Sequence, residues 1–169
     1  MIGIFDNKVD YDSKINIYRH CINSHLRLGW SDRDEPKKFT LNLHSQWSKE
    51  DCKSSSILSF FEECIENTDW FTTKNFVDAY VNYVTSDSIH YIHTHTDKNV
   101  ALYYVNLDWQ DGWYGETIFY DKNNINEVVF TSSFTPGRII LFDGSVPHAI
   151  RPQSKIAPKY RLTISCLFN

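Results

Sequence analysis

The sequence lacks long apolar runs, basic runs and paired cysteines, and each absence excludes a class of protein. No stretch approaches the roughly 18 consecutive apolar residues of a membrane span. No Lys/Arg run exceeds two residues, and the net charge is −4 with a pI of about 5.9. The electrostatic footprint of a nucleic-acid binder is therefore missing. The N-terminal residues MIGIFDNKVD also lack the basic start and apolar run of a signal peptide.

The four cysteines are scattered and form no C-x-x-C motif. They are Cys21, Cys52, Cys64 and Cys166. With no sign of secretion, this spacing predicts buried, reduced thiols in a cytoplasmic protein rather than a disulfide framework or a zinc site.

The chain contains only six glycines and five prolines in 169 residues, with no repeat, low-complexity tract or linker. That length suits a single domain spanning residues 1–169. We divide it into an N-terminal support of helices and strands, 1–75, and a core, 76–169. The division is placed there because short strand-like runs replace elements of mixed type from about residue 76. The aromatic share of 15% favours strands and the walls of ligand pockets.

The N-terminal third predicts four elements of mixed type. They are a short helix over 14–23, strands over 25–30 and 38–44, and a helix over 55–68. Asp12 or Ser13 would cap the first helix, and the polar segment 31–37 would join the two strands. The last helix has its apolar residues spaced at three and four positions behind a serine cap, which is typical of an amphipathic helix.

From residue 76 onward the sequence consists of short strand-like runs separated by turn residues. The eight runs are FVDAYVNYV, IHYIHTH, VALYYVNLDW, GETIFY, EVVF, RIILF, PHAI and YRLTISCLF. We predict a mainly β fold with no helix after about residue 70. An eight-stranded double-stranded β-helix, or jelly roll of the cupin kind, fits this count. The N-terminal helices would pack on the outside of one sheet.

Residues 93–97 read HTHTD, and the alternation of a strand would point His93, His95 and Asp97 the same way. One H-x-D pattern alone is more often a solvated strand face than a metal site. His148 lies 53 residues after His95 on another predicted strand. Two imidazoles and one carboxylate with open positions form the facial triad of non-haem Fe(II) oxygenases, so we predict His95, Asp97 and His148 as metal ligands.

The C-terminal strand strengthens this hypothesis. In YRLTISC, Arg161, Thr163 and Ser165 share one face of the strand. An arginine facing the interior of a barrel is costly unless an anion meets it there, and its planar fork suits a carboxylate. Triad and arginine together indicate iron and a dicarboxylic cosubstrate.

These residues resemble the Fe(II)- and 2-oxoglutarate-dependent dioxygenases, nearest to the prolyl 4-hydroxylase-like branch. The similar stretches, in the family's order, are HTD (95–97), ALYYVNLDW (101–109), GETIFY (115–120), FTPGRIILFDGSVPHAIRP (134–152) and YRLTISCLF (160–168). They cover a little more than half of the chain and are highly specific as a set.

The resemblance implies a role for each matching position. His95, Asp97 and His148 would hold Fe(II), while Arg161, helped by the hydroxyl of Thr163, would bind the distal carboxylate of 2-oxoglutarate. Tyr83 and Tyr104 match tyrosines that line the cosubstrate pocket, although the match of Tyr83 depends on a gap. The implied cofactors are Fe(II), 2-oxoglutarate and O2, with ascorbate as a further candidate.

The sequence departs from the family pattern between His148 and Arg161, which are 13 residues apart, a longer spacing than usual. Collagen-type enzymes use a lysine in place of the arginine, so Lys155 and Lys159 are alternatives. We prefer Arg161 because it lies within the strand pattern and the lysines lie in a predicted loop.

Several other residues have an open role. His93 is either an indirect support of the metal ligands, a substrate contact or a plain residue at the barrel mouth. Arg151 either reaches substrate or makes a surface ion pair. Trp109, Trp113 and Tyr114 flank a predicted mouth loop, where aromatics often contact substrate, although Trp109 also suits the core. The remaining histidines (20, 25, 44 and 90) are assigned to structure or solvent.

The predicted activity is hydroxylation of a second substrate coupled to conversion of 2-oxoglutarate to succinate and CO2. The resemblance suggests a prolyl residue in a peptide or protein, or free proline or another amino acid. Asp97 favours hydroxylation over halogenation, since related halogenases lack this carboxylate. The alternatives are a non-catalytic cupin-like module that binds a metal or other ligand, and a zinc-dependent hydrolase on the same ligands.

Overall fold

The computed structural model describes residues 1–30, 42–72, 74–88 and 90–169. Three helices and ten strands occur within this part of the chain. In order they are β1 (Ile2–Phe5), α1 (Tyr11–Ile22), β2 (Arg27–Trp30), β3 (Asn42–Trp47), α2 (Lys49–Ser54), α3 (Ile57–Glu66), β4 (Phe76–Val84), β5 (Asn99–Tyr104), β6 (Thr117–Tyr120), β7 (Val128–Ser132), β8 (Ile139–Asp143), β9 (His148–Ile150) and β10 (Arg161–Phe168).

Seven of the eight strand-like runs form strands, β4 to β10. The exception is the run over 89–95, which forms only an isolated antiparallel bridge between His93 and His148. Ile89 of that run lies outside the described residues, as do the predicted loop 31–37 and the first part of the predicted strand over 38–44. The expectation of no helix after about residue 70 is confirmed for the described residues.

The strands form two antiparallel sheets. The large sheet has the order β1-β8-β5-β10-β4-β3-β2, and the small one has the order β7-β6-β9. Apolar side chains from both sheets meet in one cluster, in which Phe119 of β6 contacts Phe142 of β8 at a ring distance of 5.1 Å. Two sheets that pack face to face in this way make the predicted jelly-roll core.

The helices cover the outer face of the large sheet. Apolar residues of α1, α2 and α3 share a second buried cluster with the outward-facing residues of β4, β5, β8 and β10. α1 begins at Tyr11, earlier than predicted, because the side chain of Asp10 accepts a hydrogen bond from the Ser13 N–H at 2.9 Å and caps the helix. The prediction of helices outside one sheet is confirmed, and the inner face stays open for a site.

The four cysteines are buried and unpaired, as predicted. Among the described residues, no helix has both the length and the apolar character needed to cross a membrane.

Candidate functional site

A cavity of about 260 Å³ lies between the two sheets. β10 contributes alternate residues to its wall, because strand residues two apart share a face. Arg161, Thr163 and Ser165 line the cavity, whereas Leu162 and Ile164 belong to the cluster beneath the helices. The predicted orientation of this strand is therefore what the structure has.

Arg161 is completely buried. Its Nε donates to the Gly115 carbonyl oxygen at 2.6 Å, and its Nη2 donates to Thr117 Oγ1 at 3.2 Å. Burial lowers the pKa of Arg161 to about 10, so the guanidinium stays charged at neutral pH. Nη1 is buried and has no hydrogen-bond partner among the described residues. A buried cation with one donor left over is suited to an anionic ligand.

Two further groups surround Arg161. The hydroxyl of Thr163 is fully buried and also has no hydrogen-bond partner within the described part of the chain. Tyr104 donates to Thr117 Oγ1 at 2.8 Å and stacks on Phe134, with ring centroids 4.4 Å apart. Tyr104 thus fixes Thr117, which in turn holds Arg161. Thr163 lines the cavity, whereas Tyr104 contacts its wall through Thr117, and the predicted cosubstrate roles of both residues stay predictions.

Three histidines come together in the wall of the same cavity. One ligand atom from each of His93, His95 and His148 lies within 4.8 Å of the other two, and all three side chains line the cavity. The bridge between His93 and His148 holds two of them, because each N–H donates to the other's carbonyl at 3.0 Å. The His95 N–H is held by the Gly144 carbonyl at 2.7 Å.

The tautomers of two of these rings follow from their hydrogen bonds. Nδ1 of His148 lies 2.9 Å from the Val146 carbonyl oxygen, and Nδ1 of His93 lies 3.0 Å from that of Tyr91. Since a carbonyl oxygen only accepts, each Nδ1 must carry the proton. In the neutral ring the lone pair is then on Nε2, the arrangement common in metal-binding histidines.

Asp97 does not join this cluster. After His95 the chain enters a turn, closed by a 3.1 Å hydrogen bond from the Lys98 N–H to the His95 carbonyl. Asp97 lies in that turn with a φ of 60° and an exposed side chain. The shared face expected for a strand therefore applies to His93 and His95 but not to Asp97. The predicted role of Asp97 as a ligand stays a prediction.

The structure does not place Tyr83 at the cavity. Tyr83 lies on the outer face of β4, in the cluster beneath the helices, and its hydroxyl donates to the Cys21 carbonyl. The inward positions of β4 are Tyr80 and Asn82. The expected pocket position of Tyr83 came from a gapped match, whereas the alternation of β4 turns this side chain away.

The other candidate residues lie outside the cavity wall. Lys155 and Lys159 are exposed, which leaves Arg161 as the cation in the cavity. Arg151 lies over the ring of Tyr114 at 3.7 Å and pairs with Glu116 at 3.8 Å.

The loop aromatics are tied to the core and to each other. Trp109 packs on Phe134 at 4.3 Å, lies 5.7 Å from Trp113 and donates from Nε1 to the Tyr114 carbonyl at 2.8 Å. Trp109 therefore packs against the core, which is one of the two roles predicted for it.

The sequence reasoning missed two features of the site. Gly115 received no role at the site, but its carbonyl holds Arg161, and a Cβ there would lie 3.3 Å from the Arg161 side chain. Asn82 received no role; it lines the cavity and is the cross-strand partner of Thr163, a register that alternation along FVDAYVNYV does not give.

Comparison with solved structures shows where this fold occurs. The chain is similar to a prolyl-4-hydroxylase from Pseudomonas putida, with a TM-score of 0.71 and 16% identity over 99% of this chain and 92% of that one. It is also similar to a prolyl hydroxylase from Trichoplax adhaerens, solved in complex with a peptide fragment of the hypoxia inducible factor oxygen degradation domain. There the TM-score is 0.66 with 15% identity, over 99% and 82% of the two chains.

A third similar structure is HygX from Streptomyces hygroscopicus, solved with nickel and 2-oxoglutarate bound. It has a TM-score of 0.70 and 10% identity, over 99% of this chain and 82% of that one. No protein-family model matches the sequence, and no curated protein matches it either. The chain thus has the fold of prolyl hydroxylases and related 2-oxoglutarate–Fe(II) oxygenases, which confirms the fold that the resemblance implied.

Proposed function

We propose that the protein is an Fe(II)- and 2-oxoglutarate-dependent dioxygenase that hydroxylates a second substrate. One observation supports this most strongly. The buried guanidinium of Arg161 has an Nη1 without a hydrogen-bond partner among the described residues, beside the equally unpartnered hydroxyl of Thr163. Both residues line the cavity that three imidazoles also line. A dicarboxylate that reaches from these histidines to Arg161 would satisfy both groups.

The donor set fits iron. Imidazole is a normal ligand of Fe(II), and the ring hydrogen bonds of His93 and His148 leave Nε2 as their basic nitrogen. His95 and His148 belong both to the predicted ligand set and to the observed cluster. The predicted third metal ligand is Asp97, whereas the third residue beside His95 and His148 in the structure is His93.

Bound iron would supply activation of O2, coupled to conversion of 2-oxoglutarate to succinate and CO2. The residues of this chain position the cosubstrate and exclude water. Arg161, held by Gly115 and Thr117, fixes the distal carboxylate, and Thr163 donates to it. The rings of Tyr104 and Phe134 lie 5.3 and 5.0 Å from the guanidinium carbon of Arg161, and this apolar surrounding strengthens an ionic contact with the guanidinium.

We further propose a prolyl residue in a peptide or protein as the substrate class. Two of the similar structures are prolyl hydroxylases, one of them solved with a peptide fragment bound. The alternative substrate class is free proline or another amino acid.

The test is an anaerobic titration of purified protein with Fe(II) and then 2-oxoglutarate, following the weak visible charge-transfer band of the chelate. We expect a band that His95→Ala abolishes and that Arg161→Ala shifts to much higher 2-oxoglutarate. Arg151→Ala is the matched control, because Arg151 pairs with Glu116 and Tyr114 outside the cavity wall. Iron-loaded protein that gives no band with 2-oxoglutarate would contradict the proposal.

A zinc-dependent hydrolase is the second candidate, because three imidazoles are also a ligand set of catalytic zinc. This function leaves the unpartnered Nη1 of Arg161 unexplained. Succinate formation that requires Fe(II) and is not supported by Zn(II) would separate the two. A cupin-like binding module would show ligand binding without succinate formation.

A further inference from the structure

Two buried thiols meet where the short helix α2 packs on the middle of the large sheet. Sγ of Cys52 lies 3.9 Å from Sγ of Cys166, and both residues are completely buried. Cys52 belongs to α2 and Cys166 to β10, 114 positions further along the chain. Among the described residues no other two thiols are in contact. The two sulfurs are thus neighbours in space although they are remote in sequence.

Small neighbours explain the close approach of the two thiols. The cross-strand partners of Cys166 are Ala79 on β4 and Ala101 on β5, and directly opposed residues point to the same side of a sheet. Cys166 is therefore flanked by two methyl groups beneath α2. Because an alanine side chain ends at Cβ, these neighbours let α2 lie close to the sheet and leave the thiol of Cys166 free to rotate toward Cys52.

The thiols are shielded as long as α2 is folded. Burial raises the pKa of the Cys166 thiol, and a thiol reacts with an oxidant as its thiolate. α2 has only six residues, and Ser56, with a φ of 70°, separates it from α3. A helix this short depends on its capping box, in which Ser48 and Asp51 exchange hydrogen bonds. Local opening of α2 is therefore the route by which an oxidant reaches Cys52.

We propose that Cys52 and Cys166 form a modification site, at which a peroxide converts the thiol pair to a disulfide that ties α2 to β10. In the opened state the thiolate of Cys52 attacks one oxygen of hydrogen peroxide, which breaks the O–O bond and gives a sulfenic acid and water. The thiolate of Cys166 then attacks the sulfenic sulfur, forms the S–S bond and releases the second water. Overall the two thiols lose two electrons and two protons, and hydrogen peroxide is reduced to two molecules of water.

The disulfide acts on the stability of the fold and not on the cavity. It closes a loop over the 114 positions between the two cysteines, and a cross-link over such a distance strongly restricts the unfolded chain. β10 lines the cavity with Arg161, Thr163 and Ser165, whereas Cys166 lies in the cluster beneath the helices. The inference therefore does not rest on the proposed function, because it uses only the outer face of the large sheet.

The test treats the whole folded chain with hydrogen peroxide, in the presence of a chelator that removes stray iron. Free thiols are then alkylated in denaturant, and the intact mass and a non-reducing peptide map identify any cross-link. Cys52→Ala removes one of the two sulfurs. Cys64→Ala is the matched control, since Cys64 is an equally buried helix residue outside the thiol pair. Thermal unfolding of the oxidised protein, with and without a reductant, measures the effect on stability.

A second variant tests the route by which the oxidant enters. Ser48→Ala removes the side-chain cap of α2, and the loss of such a cap should raise the open population about fivefold. The disulfide should then form faster by the same factor. Asp10→Ala is the control for this variant, because the side chain of Asp10 caps α1 and its loss leaves the cap of α2 in place.

We expect the parent protein and Cys64→Ala to lose the mass of two hydrogen atoms and to give a linked Cys52–Cys166 peptide, and Cys52→Ala to give none. Oxidation should raise the Tm of the parent protein by roughly 5–15 °C, and a reductant should reverse the rise.

The inference is overturned if peroxide gives no cross-link, if the link involves Cys21 or Cys64, or if sulfinic acids form in place of a disulfide. An unchanged Tm after cross-linking would overturn the proposed effect on stability. Equal rates of cross-linking in Ser48→Ala and the parent protein would overturn access through α2.

Discussion

The Nε of Arg161 donates a 2.6 Å hydrogen bond to the carbonyl oxygen of Gly115. Gly115 has a φ of 85°, and a Cβ at this position would lie 3.0 Å from Trp109 and 3.3 Å from Arg161. Glycine is thus needed both for the backbone conformation and for the close approach. The guanidinium is held through Nε and Nη2, which leaves Nη1 without a hydrogen-bond partner among the described residues.

Arg161→Lys should weaken 2-oxoglutarate binding even though it keeps the positive charge. Arginine uses Nε and Nη2 on Gly115 and Thr117 while Nη1 stays available. A lysine ammonium has no fork with which to do both. We expect the dissociation constant for 2-oxoglutarate to rise about tenfold or more, measured by calorimetry with Ni(II)-loaded protein. Arg151→Lys is the control, and an unchanged affinity of Arg161→Lys would show that only charge matters.

The ion pair between Asp6 and Arg138 should make stability depend on pH. Both guanidinium contacts are 2.8 Å long, and this hydrogen bonding with Arg138 lowers the pKa of Asp6. A lowered folded-state pKa stabilises the protein above the unfolded-state pKa of about 3.9. This contribution to stability is lost as the pH falls through the pKa of Asp6 in the folded protein.

Asp6→Asn should therefore lower the free energy of unfolding by about 0.5–1 kcal/mol at pH 7, a modest effect because Asp6 is 41% exposed and solvent screens the pair. The difference from the parent protein should shrink as the pH falls below about 4. Urea unfolding at pH 7, 5 and 3 measures this difference in the free energy of unfolding. Arg138→Gln should lower the free energy of unfolding by the same amount at pH 7. A difference that is constant across this range would exclude the ion pair as its cause.

Gly144→Ala should disturb the histidine cluster. A Cβ on Gly144 would lie 2.5 Å from the backbone oxygens of both His95 and Lys98, and backbone atoms cannot move aside as a flexible side chain can. We expect a loss of roughly 2–4 kcal/mol in the free energy of unfolding and weaker Ni(II) binding, because His95 would shift.

Gly112→Ala is the control for Gly144→Ala. Gly112 has a φ of 79° and open space around its Cβ position, so only backbone strain of about 1 kcal/mol is expected there. Thermal unfolding and Ni(II) titration of both variants give the comparison. Equal losses of stability, with Ni(II) binding intact in Gly144→Ala, would mean that Gly144 does not support His95.

Strands could be predicted from the sequence where polar and apolar residues alternate over many consecutive positions. In β10 six consecutive residues, Arg161–Cys166, alternate between polar and apolar, and the structure places Arg161 and Thr163 inside as expected. α2 was missed because six residues are too few to show helical periodicity. Its signal was the capping box, in which Ser48 and Asp51 exchange hydrogen bonds, and this pattern is legible in the sequence as S-x-x-D.

The convergence of the histidines depends on contacts that no local pattern encodes. His93 and His95 are directed by a single bridge to His148 and by the Gly144 carbonyl, and both partners lie about 50 residues away along the chain. A local alternation rule predicts one shared face for the whole HTHTD segment. It cannot foresee the turn that takes Asp97 out of line.

Two substitutions decide which residue completes the metal site. His93→Ala should weaken Ni(II) binding by about 10–100-fold, because loss of a group that touches or supports a metal ligand has an effect of this size. The measurement is calorimetric titration of the metal-free protein with Ni(II). Thr94→Ala, an exposed neighbour, should bind Ni(II) like the parent protein. Unchanged binding by His93→Ala would remove His93 from the site.

Asp97→Ala completes the comparison, because the sequence assigns this carboxylate to the metal and the structure leaves it exposed in a turn. A loss larger than that of His93→Ala would establish the predicted set of His95, Asp97 and His148, with His93 as a supporting neighbour. Unchanged affinity would assign the third position to His93. The Cu(II)-loaded variants give an independent count, since electron paramagnetic resonance detects each coordinated imidazole nitrogen. One nitrogen fewer in His93→Ala than in the parent protein means that the ring itself is the ligand.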